Sequence, residues 1–292
     1  MIPPPAPTAR ARQDPRWVRW LLTTVALAFL GVFLVLPLAA VLHAALADGL
    51  GPYLAALRDR DTGHALRLTL FAAAIAVPLN VVFGVAAAWT ITRFTFPGKR
   101  LLVTVIDLPF AVSPVIAGML FILLFGAHGY LGPWLAAHDV RIVFATPAIV
   151  IVTAFVTVPF VAREVIPALE ARGPEQELAA LTLGATPWQT FWRVTLPNIR
   201  WSLAYGAILC TARAVGEFGA VSVVSGHIRG ETNTVPLHVE ILYNDFHYQA
   251  AFAVSTILIA IALVTLALKG ALEWHLARTV RTPRRPSPPP RP

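Results

Sequence analysis

Few residues in this chain could do chemistry, and most of those stand in apolar surroundings. Arg213 and Glu217 lie four residues apart within one apolar run, which puts them on one face of a helix. A charge at the centre of a bilayer costs about 2.5 to 3.5 kcal/mol on insertion scales, so such side chains turn toward protein or a wet cavity. Two readings follow. Either the pair is a mutual ion pair bonded to neighbouring helices, or Arg213 lines a path and lowers its barrier for an anion. Asp107, closely followed by Pro109 and Pro114, suggests a hydrogen-bonded structural acid in a bent helix, with part of a gate as the alternative. The polar stretch from Ser225 to Gln249 carries Gly226, Arg229 and Thr232. Backbone amides beside its glycines could contact an oxyanion; the plainer reading is a connector packed over a mouth.

Several chemistries are excluded. There is no GxxxxGK[ST] phosphate loop, the nearest fragment being Pro97-Gly98-Lys99-Arg100, and no HExxH, GxSxG or CxxC. The chain is therefore expected to be non-catalytic and unable to hydrolyse ATP. Its eight histidines are scattered, and no metal site is expected. A single cysteine, Cys210, allows no disulfide within the chain.

Of the 292 residues, 57% are hydrophobic and 13% charged, where soluble proteins carry about a quarter charged. The composition is that of an integral membrane protein. A net charge of +8 raises the question of nucleic acid, but the basic residues flank apolar runs and form no single patch. A span needs about 20 residues. Windows at 20–43, 66–92, 101–125, 142–166, 201–224 and 250–272 qualify, predicting an all-α protein with six transmembrane helices. The first is too long for a signal-peptide core and lacks a cleavage site. Residues 1–19 and 274–292, rich in Pro and Arg, are expected to be disordered tails around a 20–273 membrane domain.

Lysine and arginine cluster at one set of span ends: Arg10 to Arg19, Arg93 to Arg100, Arg163 to Arg200, and Lys269 to Arg291. This asymmetry predicts cytoplasmic termini, with the loops at about 44–65, 126–141 and 225–249 outside. Ser202, Gly206, Cys210 and Ala214 recur every four residues, as Gly84 and Ala88 do, in rows that let helices approach closely. Whether the first row packs within the chain or on a second subunit is open. Prolines 37, 78, 109, 114, 147 and 159 fall inside the windows and can kink them.

The cytoplasmic stretch 167–200 is the part most unlike a simple connector. Gly173 and Pro174 open a helix with Glu175 and Glu177 at its positive end, and Gly184 stops it. Thr186, Pro187 and Gln189 form a capping-box pattern that starts a second short helix, expected to end at Pro197. Leu178, Leu181, Leu183, Trp188, Phe191 and Trp192 make an apolar side too large to leave in water, so a cytoplasmic partner is expected.

Ala179, Ala180, Gly184, Val194, Leu196 and Pro197 fit the pattern EAA, three residues, G, nine residues, I, one residue, LP. They resemble the EAA loop of permease subunits of bacterial ABC importers. The glutamate's slot holds Leu178, with Glu177 one residue earlier. Asp107 to Gly118 and Ala212 to Gly219 resemble the third and fifth spans of sulfate and molybdate permeases, and Ala220 to Phe246 looks most like the CysW-type subunit of sulfate/thiosulfate importers. The resemblance implies the type I ABC importer permease fold in a bacterial inner membrane. It also implies a CysT-type second permease, two CysA-type ATPase subunits that bind ATP and magnesium, and a periplasmic binding protein. Glu177 to Ala180, Gly184, Leu196 and Pro197 would then couple to the ATPase. The alternatives are a molybdate or tungstate permease, a membrane-embedded enzyme, for which only Arg213 and Glu217 are available, and a passive channel subunit.

Overall fold

A computed structural model describes residues 15–280; the predicted tails, apart from the residues noted below, lie outside the described residues. Apolar runs become helices because hydrocarbon offers no partner to backbone N–H and C=O groups, and a helix satisfies both internally. The first span joins α1 (Arg16–Leu30), a π-turn (Gly31–Val35) and α2 (Leu36–Ala45). A short α3 (Leu50–Arg58) leads into α4 (Arg60–Arg93), and α5 (Lys99–Ala111) and α6 (Pro114–Phe125) make the third span. After α7 (Gly132–Ala137) come α8 (Thr146–Arg172), α9 (Glu175–Thr182) and α10 (Pro187–Thr190). A second π-turn (Phe191–Thr195) enters α11 (Leu196–Val215), followed by α12 (Gly219–Ser225), α13 (Val235–Asn244) and α14 (Tyr248–Val280).

The six windows map onto four continuous helices and two bent pairs. The third is broken by 110° between α5 and α6, because Ser113 precedes Pro114 and takes an extended conformation (ψ 134°). Pro114 and Pro147 open their helices and do not kink them. The fifth bends by 50° between α11 and α12. Both π-turns stand just before a proline, Pro37 and Pro197, each at the second position of the helix that follows. The wider turn accommodates the carbonyl that the proline ring would strike and the hydrogen bond its missing N–H cannot make. At the chain ends helix covers residues 16–19 and 274–280, because backbone hydrogen bonding continues past the charges that close a hydropathy window.

The core is built around α8, held between α4 and α11. A methyl group at Gly84 would stand 2.8 Å from Val161 Cβ, and one at Gly206 would stand 3.1 Å from Val161 Cα, so both glycines permit close approach to the same turn. Asn80 Nδ2 donates to Ala154 O at 2.9 Å and to Thr157 Oγ1 at 2.7 Å, satisfying polar groups at membrane depth. Cys210 is buried in the same cluster as Val161, and Ala214 packs against Ala73. The small-residue row thus packs within the chain. By contrast, the apolar window of the first span has no buried residue, and α2 attaches it to α14.

Candidate functional site

The loop joining α8 to α11 folds as two helical pieces. Gly184, at φ +87°, supplies the left-handed residue that ends α9, and no neighbouring atom limits its size. Thr186 Oγ1 accepts from Gln189 N–H at 3.2 Å while Gln189 Oε1 accepts from Thr186 N–H at 3.0 Å, a complete capping box. Pro197 does not end the second piece. The chain runs from α10 through the π-turn into α11, so this half of the loop is continuous with the fifth span. Leu178, Leu181, Trp188 and Trp192 are exposed, and Leu183 is 88% exposed at the tip. Phe191 instead stacks on Trp89 of α4, with centroids 4.8 Å apart. Ala179 is exposed and Ala180 half-buried in α9, while Leu196, at the start of α11, packs against the cluster that holds Val161 and Cys210.

Glu177 points the other way. Its carboxylate takes Arg93 Nε at 2.8 Å and Nη2 at 3.2 Å, and Thr195 Oγ1 at 2.9 Å. The same guanidinium donates to Gly173 O at 3.0 Å and Leu169 O at 3.4 Å, carbonyls that the end of α8 leaves without helical partners. Arg93 and Glu177 side chains are only 12% and 13% exposed. In the sequence Arg93 reads only as a topology signal, and nothing there marks Thr195. No local pattern links residues 84 positions apart.

Arg213 and Glu217 do form an ion pair, Nη1 to Oε2 at 2.6 Å, with Glu217 buried and Arg213 32% exposed. Glu217 Oε1 also accepts from Ala220 N–H at 2.9 Å. The carboxylate therefore braces the break between α11 and α12, while part of the arginine faces open space. Asp107 Oδ1 accepts from Arg163 Nε at 2.8 Å, and the guanidinium lies 4.8 Å from the centre of the Phe110 ring. Pro109 is buried beside this pair, and Pro114 starts the next helix.

At the opposite end, the segment after α12 is closed on itself. Gly226 (φ +72°) caps α12, and a side chain there would strike the Phe144 ring at 2.9 Å. Ser225 Oγ accepts from His227 N–H at 3.2 Å and Thr232 Oγ1 from Ile228 N–H at 3.1 Å, so these amides are already used. Arg229 pairs with Asp245. Thr69 Oγ1 accepts from Val235 N–H at 2.8 Å, fixing α13 to α4. Buried His238 sits 3.2 Å from Thr62 Oγ1, whose own hydrogen goes to Ala56 O. Burial pushes the His238 imidazole below its ordinary pKa; Asp61 and Asp59 oppose this and Arg229 reinforces it. The structure brings together Glu177 with Arg93, Arg213 with Glu217, and Ser225 with Thr232 in one cap, but these are three separate places.

The overall fold is shared with solved ABC transporters. A chain of a bacterial alginate ABC transporter, crystallised with an alginate pentasaccharide-bound periplasmic protein, superposes with a TM-score of 0.73 at 17% identity, covering 91% of this chain and 96% of that one. An amino acid ABC transporter crystallised with histidines gives 0.53 at 16% identity, covering 74% and 94%. These likenesses define the fold as that of ABC importer permeases. The family described as "Binding-protein-dependent transport system inner membrane component" matches residues 80–279, and the chain belongs to it, a multi-pass protein of the inner membrane. Among its relatives, the sulfate transport system permease protein CysW of Synechocystis is 53% identical over 88% of this chain and 93% of its own length. The CysW protein of Escherichia coli K12 is 48% identical over 92% and 94%. The E. coli sulfate transport permease CysT is 37% identical over 87% and 92%.

Proposed function

We propose that this chain is a CysW-type permease subunit of an ATP-driven importer of sulfate and thiosulfate, forming half of the path across the membrane. The observation that carries this is 53% identity, over 88% of the chain, to a protein named for sulfate transport. A CysT-type permease would supply the other half; the 37% likeness to such a chain supports two related partners. The E. coli and Synechocystis names favour sulfate over molybdate or tungstate. ATP and magnesium belong to two ATPase subunits, and a periplasmic protein delivers the anion. Both termini and the 167–200 loop face the cytoplasm, a placement that rests on the lysine and arginine distribution.

The mechanism is alternating access. Leu178, Leu181, Leu183 and Trp188 offer an apolar surface that a groove on the ATPase would cover. Continuity of α10 with α11 links Trp188 directly to the Arg213–Glu217 break. The partly exposed side chain of Arg213 would meet the dianion there, lowering the cost of carrying charge through a low-dielectric region. Ser225, Gly226, Arg229 and Thr232 would close the outer mouth, and Asp107 would hold Arg163 at the third span. Uptake of radiolabelled sulfate in cells with and without this gene tests the reading. Loss of uptake that thiosulfate competes and molybdate does not is the expected result. Intact sulfate uptake alongside lost molybdate accumulation would overturn it in favour of the molybdate permease.

A further inference from the structure

The loop's apolar surface can act as a lever only if it is stiffly joined to the spans. Through its backbone, α9 is joined at Gly173-Pro174 and at Gly184-Ala185, two turns with glycines at positive φ. The exposed polar contacts nearby are Asn198 to Gln176 at 2.6 Å and Arg172 to Asn198 at 2.9 Å. Among the described residues, the shielded side-chain connection of α9 is the Arg93–Glu177 cluster described above. It joins the last residue of α4, the final carbonyls of α8, the first turn of α9 and the π-turn that enters α11. A bidentate guanidinium–carboxylate pair fixes angle as well as distance, which a single hydrogen bond or a lysine cannot do.

We infer that Arg93 and Glu177 are a positioning pair that makes the coupling loop move as one body with the ends of α4, α8 and α11. This rests on the proposed coupling role. Glu177 thus acts inside its own chain, and Leu178, in the slot the EAA pattern gives to glutamate, faces outward. Removing the pair leaves the docking surface intact but lets α9 rock about its two glycine turns, so that motion at the ATPase is dissipated before it reaches the fifth span.

The test uses the complete transporter in proteoliposomes, with both permeases, the ATPase and the binding protein, in wild-type, Glu177→Gln, Arg93→Gln and Arg93→Lys forms. Sulfate imported per ATP hydrolysed is measured, together with ATPase retained on purification and amide exchange across 175–184. Coupling between distant sites is commonly worth roughly 5- to 150-fold, and a fall of about tenfold in sulfate per ATP is expected for the two glutamine variants. Arg93→Lys should fall between them and wild type, with the ATPase still bound and α9 amides exchanging faster in all three. A wild-type ratio in either glutamine variant overturns the inference, as does loss of the ATPase, which would make Glu177 a docking contact. If the wild-type transporter imports no sulfate, the substrate reading fails separately. The pair is then judged by amide exchange: acceleration supports it, and unchanged α9 protection overturns it.

Discussion

At the scale of single residues, the shielded carboxylates of Glu177 and Glu217 each sit in an ion pair of which one member also bonds the backbone. Glu217 illustrates this: one oxygen meets Arg213 and the other accepts the Ala220 N–H. Glu217→Ala strips both and is expected to cost about 3 kcal/mol or more, because it leaves a charge unpaired and a buried N–H unmet. Thermal unfolding in detergent would register this as a lowered midpoint. Arg213→Gln leaves the buried Glu217 carboxylate without its cation and should also lower the midpoint, while sulfate uptake falls; wild-type uptake in stably inserted Arg213→Gln would remove it from the path. His238 gives a pH dependence with a defined sign. Its folded-state pKa lies below the ordinary 6.5, so below that pH the unfolded chain binds the proton first and stability falls. Above it the imidazole is neutral in both states and contributes no slope. Unfolding midpoints between pH 5 and 8 should drop on the acid side, and His238→Gln should flatten that limb.

At the scale of elements, the loop and the helix core obey different constraints. Gly184 has free space around it but a positive φ, so Gly184→Ala is expected to cost only about 1 kcal/mol of conformational strain. Gly184→Pro should distort the turn enough to uncouple transport while the protein still inserts. Leu178→Asp puts a charge on the exposed apolar surface and should weaken retention of the ATPase, measured by pull-down from mild detergent. Normal ATPase binding and uptake in that variant would remove the surface from the coupling path. Gly84 is the reverse case: its backbone is ordinary helix, but Val161 stands where a side chain would go. Gly84→Val should separate α4 from α8 and cost roughly 1 to 3 kcal/mol by overpacking, seen as reduced folded yield.

At the scale of the whole molecule, the assembly must supply what one chain lacks: cover for the exposed apolar tip of the loop, and lipid or protein along the first span. Orientation can be checked directly, because Cys210 is buried and leaves no competing exposed thiol. Tyr130→Cys, at an exposed tip between α6 and α7, should react with a membrane-impermeant maleimide in intact cells, and Leu183→Cys only after the membrane is opened. The opposite pattern would invert the topology.

The sequence alone determined the membrane class, the six apolar windows, the capping box at Thr186 and the Arg213–Glu217 pair, because each depends on composition or on spacings within one helical turn. It also carried the family resemblance, through motifs that survive as local strings. Tertiary structure decided where those pieces bend and what they grip. The 110° break in the third span depends on Ser113 adopting an extended conformation ahead of Pro114, and the π-turn before Pro197 turned an expected stop into a continuous helix. The row at Gly206 proved to be an internal contact because α8 brings Val161 to it. Arg93 looked like a topology signal until folding set it beside Glu177, since long-range pairing leaves no periodic trace in either strand of sequence.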